Sequence, residues 1–318
     1  MEEPTDPTGA LPPPAPARKS ALGFFAATLL LHAFPGAGAQ ALRPGLGLAW
    51  SEVFAFLLPA AAAAAGGNLR PGPFLLLSRR PTLAQVVLGL ACGATGFVAA
   101  TGLMALTASL LPESWVEAFD ITHLFQGPPG SRMAIAASAA VLAPLCEEAA
   151  FRGYVQSALL TRLGPAAAIA GSALLFAAMH LDPVRFPAVL ALGLLFGWLA
   201  WRAGSLWPAV VAHAANNGIA AALALGGVAE AGAEGPDRRA ALAMLGAGAM
   251  LLLPVALAYR SVTPRPPPPG EAIVRRDPSD PSIRFRLGRV PQAYLAATAL
   301  GLALLLAIAA LGPHAVAE

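Results

Sequence analysis

The chain is a succession of long apolar stretches, almost free of charge and separated by short polar connectors. About 20 apolar residues at a 1.5 Å rise cross the ~30 Å hydrocarbon core of a bilayer. Inside that core every backbone N–H and C=O must find its partner within the protein, so such stretches are helices. Of the 318 residues, 57% are hydrophobic and 12% charged, where a soluble domain has about 25% charged. The expected fold is an all-α integral membrane protein, a polytopic bundle of eight or nine transmembrane helices with the lipid bilayer as its solvent. The net charge is +3, and the basic residues are scattered through the connectors, which argues against a nucleic-acid partner. Cys92 and Cys146 both sit in apolar runs, so no disulfide framework is expected.

Residues 1–19 read as a disordered Pro-rich tail. The apolar run from Ala21 resembles a signal h-region, but the tail before it is long and acidic rather than short and basic. Residues 20–111 hold three spans: Ser20 to Leu42, irregular around Pro35-Gly36; Leu46 to Ala65, which contains Glu52 and Pro59; and Leu83 to Leu111. Residues 112–132 form an extramembrane loop with a short interfacial helix. Residues 133–227 form the core: a fourth helix from Met133 to Arg162, a fifth ending at His180, a sixth to Arg202 and a seventh from Trp207 to Leu225. Residues 228–259 supply a loop and an eighth helix, 260–291 a polar Pro/Arg-rich linker, and 292–318 a last helix and tail. Lys and Arg concentrate on the connectors that share a side with the N-terminus, which places that side in the cytoplasm.

Glu147, Glu148 and Arg152 lie together in the fourth apolar stretch. Each costs roughly 2.5–3.5 kcal/mol at the centre of a spanning helix, so each needs a partner or a function. Glu148 and Arg152 are at i,i+4 and pair along one face, an arrangement that is often purely structural. Glu147 points about 100° away. His213 and Asn217 share a face of the seventh helix. Glu147 and His180 each lie about 22 Å from the Arg162–Pro165 turn, which sets them at one depth. His213, only about 12 Å beyond Gly204, needs a tilted or displaced helix to join them. A single membrane histidine is usually a packing residue, but a carboxylate, two histidines and an amide on three helices together outweigh that reading. Cys146 reads as a small packing residue, Asn216 as a cross-helix hydrogen bonder, and His32, His123 and His314 as residues of span ends or loops without a role.

Glu147-Glu148-x-x-x-Arg152, Phe176-x-x-x-His180 and His213-x-x-x-Asn217, in this order on consecutive apolar segments, resemble the three motifs of the CAAX protease and bacteriocin-processing family of intramembrane endopeptidases. The resemblance covers about Met133 to Leu225. It implies hydrolysis of a peptide bond in a membrane protein or peptide substrate, with Glu147 as general base. His180 then positions water or binds a metal, and His213 and Asn217 hold the oxyanion or contribute to a metal site. Arg152 holds Glu148 in support. Glu147, His180 and His213 are a set able to bind a divalent metal such as zinc, although HExxH is missing and a metal-free glutamate mechanism fits equally. A rhomboid-type serine protease is excluded by the lack of a serine in a tight Gly-rich loop. The rival reading is a non-catalytic scaffold, an immunity factor or a transporter-like protein using the same polar residues. With Lys19 the only lysine, the composition looks bacterial, so a bacterial cytoplasmic membrane is the expected location.

Overall fold

The computed structural model describes residues 17–66, 69–227 and 237–263, with isolated residues between 292 and 307. The described residues contain seven helices long and apolar enough to cross a membrane. In chain order, with one shorter helix, they are α1 (Ala21–Leu42), α2 (Pro44–Ala65), α3 (Leu83–Ala108), α4 (Pro129–Leu160), α5 (Pro165–Met179), α6 (Phe186–Ala203), α7 (Trp207–Leu225) and α8 (Arg238–Val262). The protein is an integral multi-pass helical bundle. Of the eight or nine spans expected, seven are present among the described residues: α5 has 15 residues, about 22 Å, and stops short of a ~30 Å core. The last expected span and the 264–289 linker lie largely or wholly outside the described residues. The expected tail ends early, since helix is already present from Ala17.

Lipid tails are as apolar as leucine, so the helices associate through close packing of small residues rather than through a hydrophobic drive. Gly93 of α3 lies against the Ala212 backbone of α7, and Gly89 lies against Pro208, so these two helices run in the same direction. On the other side of α3, Gly102 meets Ala241 and Leu245 of α8, and Gly248 of α8 meets Ala99. A side chain at position 93 would fall on the Ala212 backbone. Gly93→Ala is therefore expected to cost about 1–3 kcal/mol as an overpacked site, read as a lower thermal midpoint in detergent. Gly246→Ala, where the added carbon meets nothing within 4 Å, should leave the midpoint unchanged or slightly higher.

α4 is the central element. α2 runs along it in the same direction, with the Ser138 hydroxyl donating to the Gly45 carbonyl (3.5 Å) and Phe56 and Phe151 centred 6.2 Å apart. α6 also runs parallel to α4, receiving Arg152 on the Gly193 carbonyl (3.1 Å) and Gln156 on the Gly197 carbonyl (3.0 Å). Ser172 of α5 donates to the Phe151 carbonyl at 2.8 Å. Among the described residues, four stretches loosen to π-helical turns: His32–Gly36, Glu52–Leu57, Ser138–Leu142 and Ala149–Gln156. Proline explains three of them. A proline donates no N–H and crowds the carbonyl four residues back, and Pro35, Pro59 and Pro144 lie within or just after the first three turns.

The start of α7 is displaced inward. The Leu206 amide donates to the Leu76 carbonyl at 2.9 Å, and Leu206 packs in one cluster with Ala149 and Val210. α7 therefore begins level with the middle of α4. This displacement lets His213 reach the carboxylates even though it is so close in sequence to the Gly204 turn.

Candidate active site

Glu148 is the electrostatic centre of the site. Its side chain is fully buried, and Oε1 accepts both from Arg152 Nη1 at 2.8 Å and from His213 Nδ1 at 2.9 Å. The Glu148–Arg152 pair expected from the i,i+4 spacing is present, and His213 joins it. The other arm of Arg152 is held by the Gly193 carbonyl. Its guanidinium lies 4.3 Å from the centre of the Phe176 ring and 5.6 Å from that of Phe196, where the ring faces attract a desolvated cation.

An ionised carboxylate only accepts hydrogen bonds, so the bond to Glu148 places the His213 proton on Nδ1 and leaves the Nε2 lone pair free. Nε2 lies 3.7 Å from Glu147 Oε2, and the Glu147 side chain is 14% exposed. That separation is too long for a direct hydrogen bond, but a water seated beside the pair reaches both atoms. His213 is fixed in its plane by Phe196, stacked at 4.9 Å, and by the edge of Phe176 at 5.8 Å.

His180 closes α5. Its Nδ1 is bonded to the Phe176 carbonyl at 2.9 Å, and its ring meets Phe176 edge-on at 5.0 Å. Phe176 thus touches both histidines and carries Arg152 over its face. The polar partner the structure gives Glu147 is His213 rather than His180, which the depth argument had set opposite it. Counting residues from a turn fixes height along a helix but not lateral direction. Asn217 lies one turn beyond His213 and donates its amide to the Ala139 carbonyl at 2.9 Å, while its oxygen accepts from Asn216 at 3.0 Å. It ties α7 to the π-helical turn at Ser138–Leu142 and keeps its second amide hydrogen available. Cys146 and Cys92 are buried free thiols.

A catalytic zinc site needs three protein ligands. Among the described residues, no three His, Cys, Asp or Glu side chains converge closely enough to hold a metal ion. Glu147 and His213 approach one another, but His180 does not complete the set. The donors do not fit the three-ligand site that the sequence allowed.

Two buried polar groups, Asp182 and Glu52, and the half-buried His32 were given no role by the sequence reading. Asp182 is 3% exposed. It accepts from the Val184 and Arg185 amides at 2.8 and 2.9 Å and pairs with the Arg185 side chain, closing the turn between α5 and α6. Glu52 of α2 and His32 of α1 both lie within their helices, and His32 is not the span-end residue it was taken for. A carboxylate inside an apolar span was the signal available for Glu52.

Together these elements define a helical membrane protein whose central helix buries a carboxylate bound by arginine and histidine beside a second, accessible carboxylate. Residues 129–219, which hold every one of these motif positions, match the family described as type II CAAX prenyl endopeptidase, Rce1-like. No curated protein and no solved structure matches the chain.

Proposed function

We propose that the chain is an intramembrane endopeptidase of the CAAX type in which Glu147 activates the attacking water. The carrying observation is the chain of contacts from Arg152 to Glu148 to His213 Nδ1, which aims a free Nε2 at Glu147. Glu147 takes a proton from water while the remaining hydroxide adds to the scissile carbonyl carbon. The resulting oxyanion is stabilised by the free amide hydrogen of Asn217. Glu147 then returns its proton to the amide nitrogen as the C–N bond breaks, leaving a carboxyl and an amine product. His213 Nε2 accepts the water's other hydrogen and so orients its lone pair. Glu148 and Arg152 do not touch substrate; they fix the tautomer and orientation of His213, as carboxylates do behind catalytic histidines. His180 spends its Nδ1–H on the Phe176 carbonyl and so offers Nε2 as an acceptor for a water or a substrate N–H.

The substrate class is a membrane-associated protein or peptide, and a prenylated C-terminus is the first to test, since that is what the family's description names. The experiment is cleavage by purified protein in liposomes of a panel of prenylated and unprenylated peptides, with mass spectrometry of the products. Cleavage by wild type that is lost in His213→Ala supports the reading. No cleavage of any peptide, with specific binding retained, would favour a non-catalytic membrane binder. The same assay with a chelator addresses metal dependence: this donor geometry predicts an unchanged rate, and a loss restored by zinc would require a third ligand to move in.

A further inference from the structure

Glu52 is 2% exposed, and its oxygen Oε2 is buried without a hydrogen-bond partner. It begins the π-helical turn Glu52–Leu57, which packs on Ala143–Glu148 of α4. One turn further along both helices, Phe56 meets Phe151. The register therefore sets Glu52 beside Glu147.

A second orphan lies on the same wall. His32 begins the π-helical turn His32–Gly36, and its ring lies 5.3 Å from that of Phe56. Its Nδ1 is buried and unpartnered, and the ring is within electrostatic reach of His180. Ring contacts run without a break from His32 through Phe56, Phe151 and Phe176 to the two site histidines. The hairpin that presents both orphans is firmly closed. Gly47 lies on the Ala39 backbone, and Gln40 donates to the Ser51 hydroxyl at 3.1 Å.

Buried polar atoms without partners are unfavourable and rare, and loosened helix at membrane depth persists where it lines a polar cavity. α1 and α2 hold four such atoms, Thr28 Oγ1 and Trp50 Nε1 being the others, and the two set toward Phe56 and Glu147 call for a ligand that brings hydrogen-bonding groups. A peptide opened for cleavage inside a membrane has that chemistry, because its unwound amides have no water to bond. We propose that α1 and α2 form the substrate-binding wall of the site, with Glu52 Oε2 accepting a hydrogen bond from a substrate backbone N–H adjacent to the scissile bond. His32 Nδ1 receives a second polar group of the same extended strand. The proposal rests on the endopeptidase reading and assigns recognition to residues outside the segment 129–219.

The test measures binding of a fluorescent prenylated CAAX peptide to full-length Glu147→Gln protein in nanodiscs. The comparison adds Glu52→Leu or Glu52→Gln and uses peptides N-methylated at each amide flanking the scissile bond. Glu52→Leu is expected to weaken Kd about 3- to 10-fold, the range for a hydrogen bond between uncharged groups. Glu52→Gln, which keeps an acceptor oxygen, should weaken it less. One N-methylated peptide should bind weakly to the Glu52 protein and equally weakly to the Glu52→Leu protein. Unchanged Kd in Glu52→Leu of unaltered thermal midpoint overturns the proposal, as does an N-methylation penalty that persists in it. If Glu52→Leu fails to fold, Glu52→Met, which has the length of the native side chain but no acceptor oxygen, decides in the same way with the N-methylated series. Cleavage by wild type with Glu52-independent binding would sink the wall and leave the protease standing. Glu52-dependent binding without any cleavage would sink the protease and leave the wall.

Discussion

Glu147→Gln is expected to lower kcat/KM by about 10²–10⁴-fold, the usual contribution of a positioned general base, while the protein accumulates and melts as wild type does. The two effects separate because of where Glu147 stands. Its carboxylate is partly exposed, and among the described residues its ion-pair contact is the long one to His213 at 3.7 Å, so an amide of the same shape breaks no short buried pair. Glutamine has no carboxylate to receive the water's proton, and the loss should fall on kcat more than on KM. A Glu147→Gln protein that cleaves at the wild-type rate would remove Glu147 from the chemistry.

Arg152→Leu is expected to have the opposite profile, a failure of stability before any failure of activity. It strips the partner from a fully buried Glu148, and breaking a buried pair in this way costs about 3–5 kcal/mol because one charge is left uncompensated. The guanidinium's bond to Gly193 and its seat on Phe176 go with it. Accumulation in membranes and the thermal midpoint in detergent should both drop sharply. Combining it with Glu148→Gln removes the stranded charge and should restore much of the stability. Activity in that double variant is expected to stay low, since His213 Nδ1 then faces an amide rather than a carboxylate. Equal instability of the single and double variants would show that Arg152 acts through packing alone.

The two variants probe the part of the site that was most legible in the chain. Glu148 and Arg152 pair because their spacing puts them on one helical face, and no tertiary knowledge was needed to see it. The seven long helices were likewise readable from apolar length, since a bilayer leaves the backbone little choice. The lateral arrangement was not readable. His213 reaches Glu148 because Leu206 is docked on Leu76 and Ala149, a contact between connectors far apart in sequence. The pairing of Glu147 with His180 rested on straight helices of equal rise, whereas α4 contains two π-helical turns that change its rotation. His32 was passed over as a span-end residue and Glu52 was noted without a role. Both sit where a proline loosens the helix, and that shared setting was visible in Pro35 and Pro59.

The shortness of α5 bears on a need that the reaction places on the surrounding lipid. Hydrolysis consumes water, and hydrocarbon supplies none. A helix of 15 residues ends about 8 Å below the level that a full-length neighbour reaches. The bilayer edge must dip or hydrate there, at a cost of fractions of a kcal/mol per Å. The turn that follows α5 carries the Asp182–Arg185 ion pair, whose arginine side chain is 29% exposed, two residues beyond His180. For the endopeptidase proposed above, the truncated helix is where water would have the shortest way in from the membrane surface to Glu147.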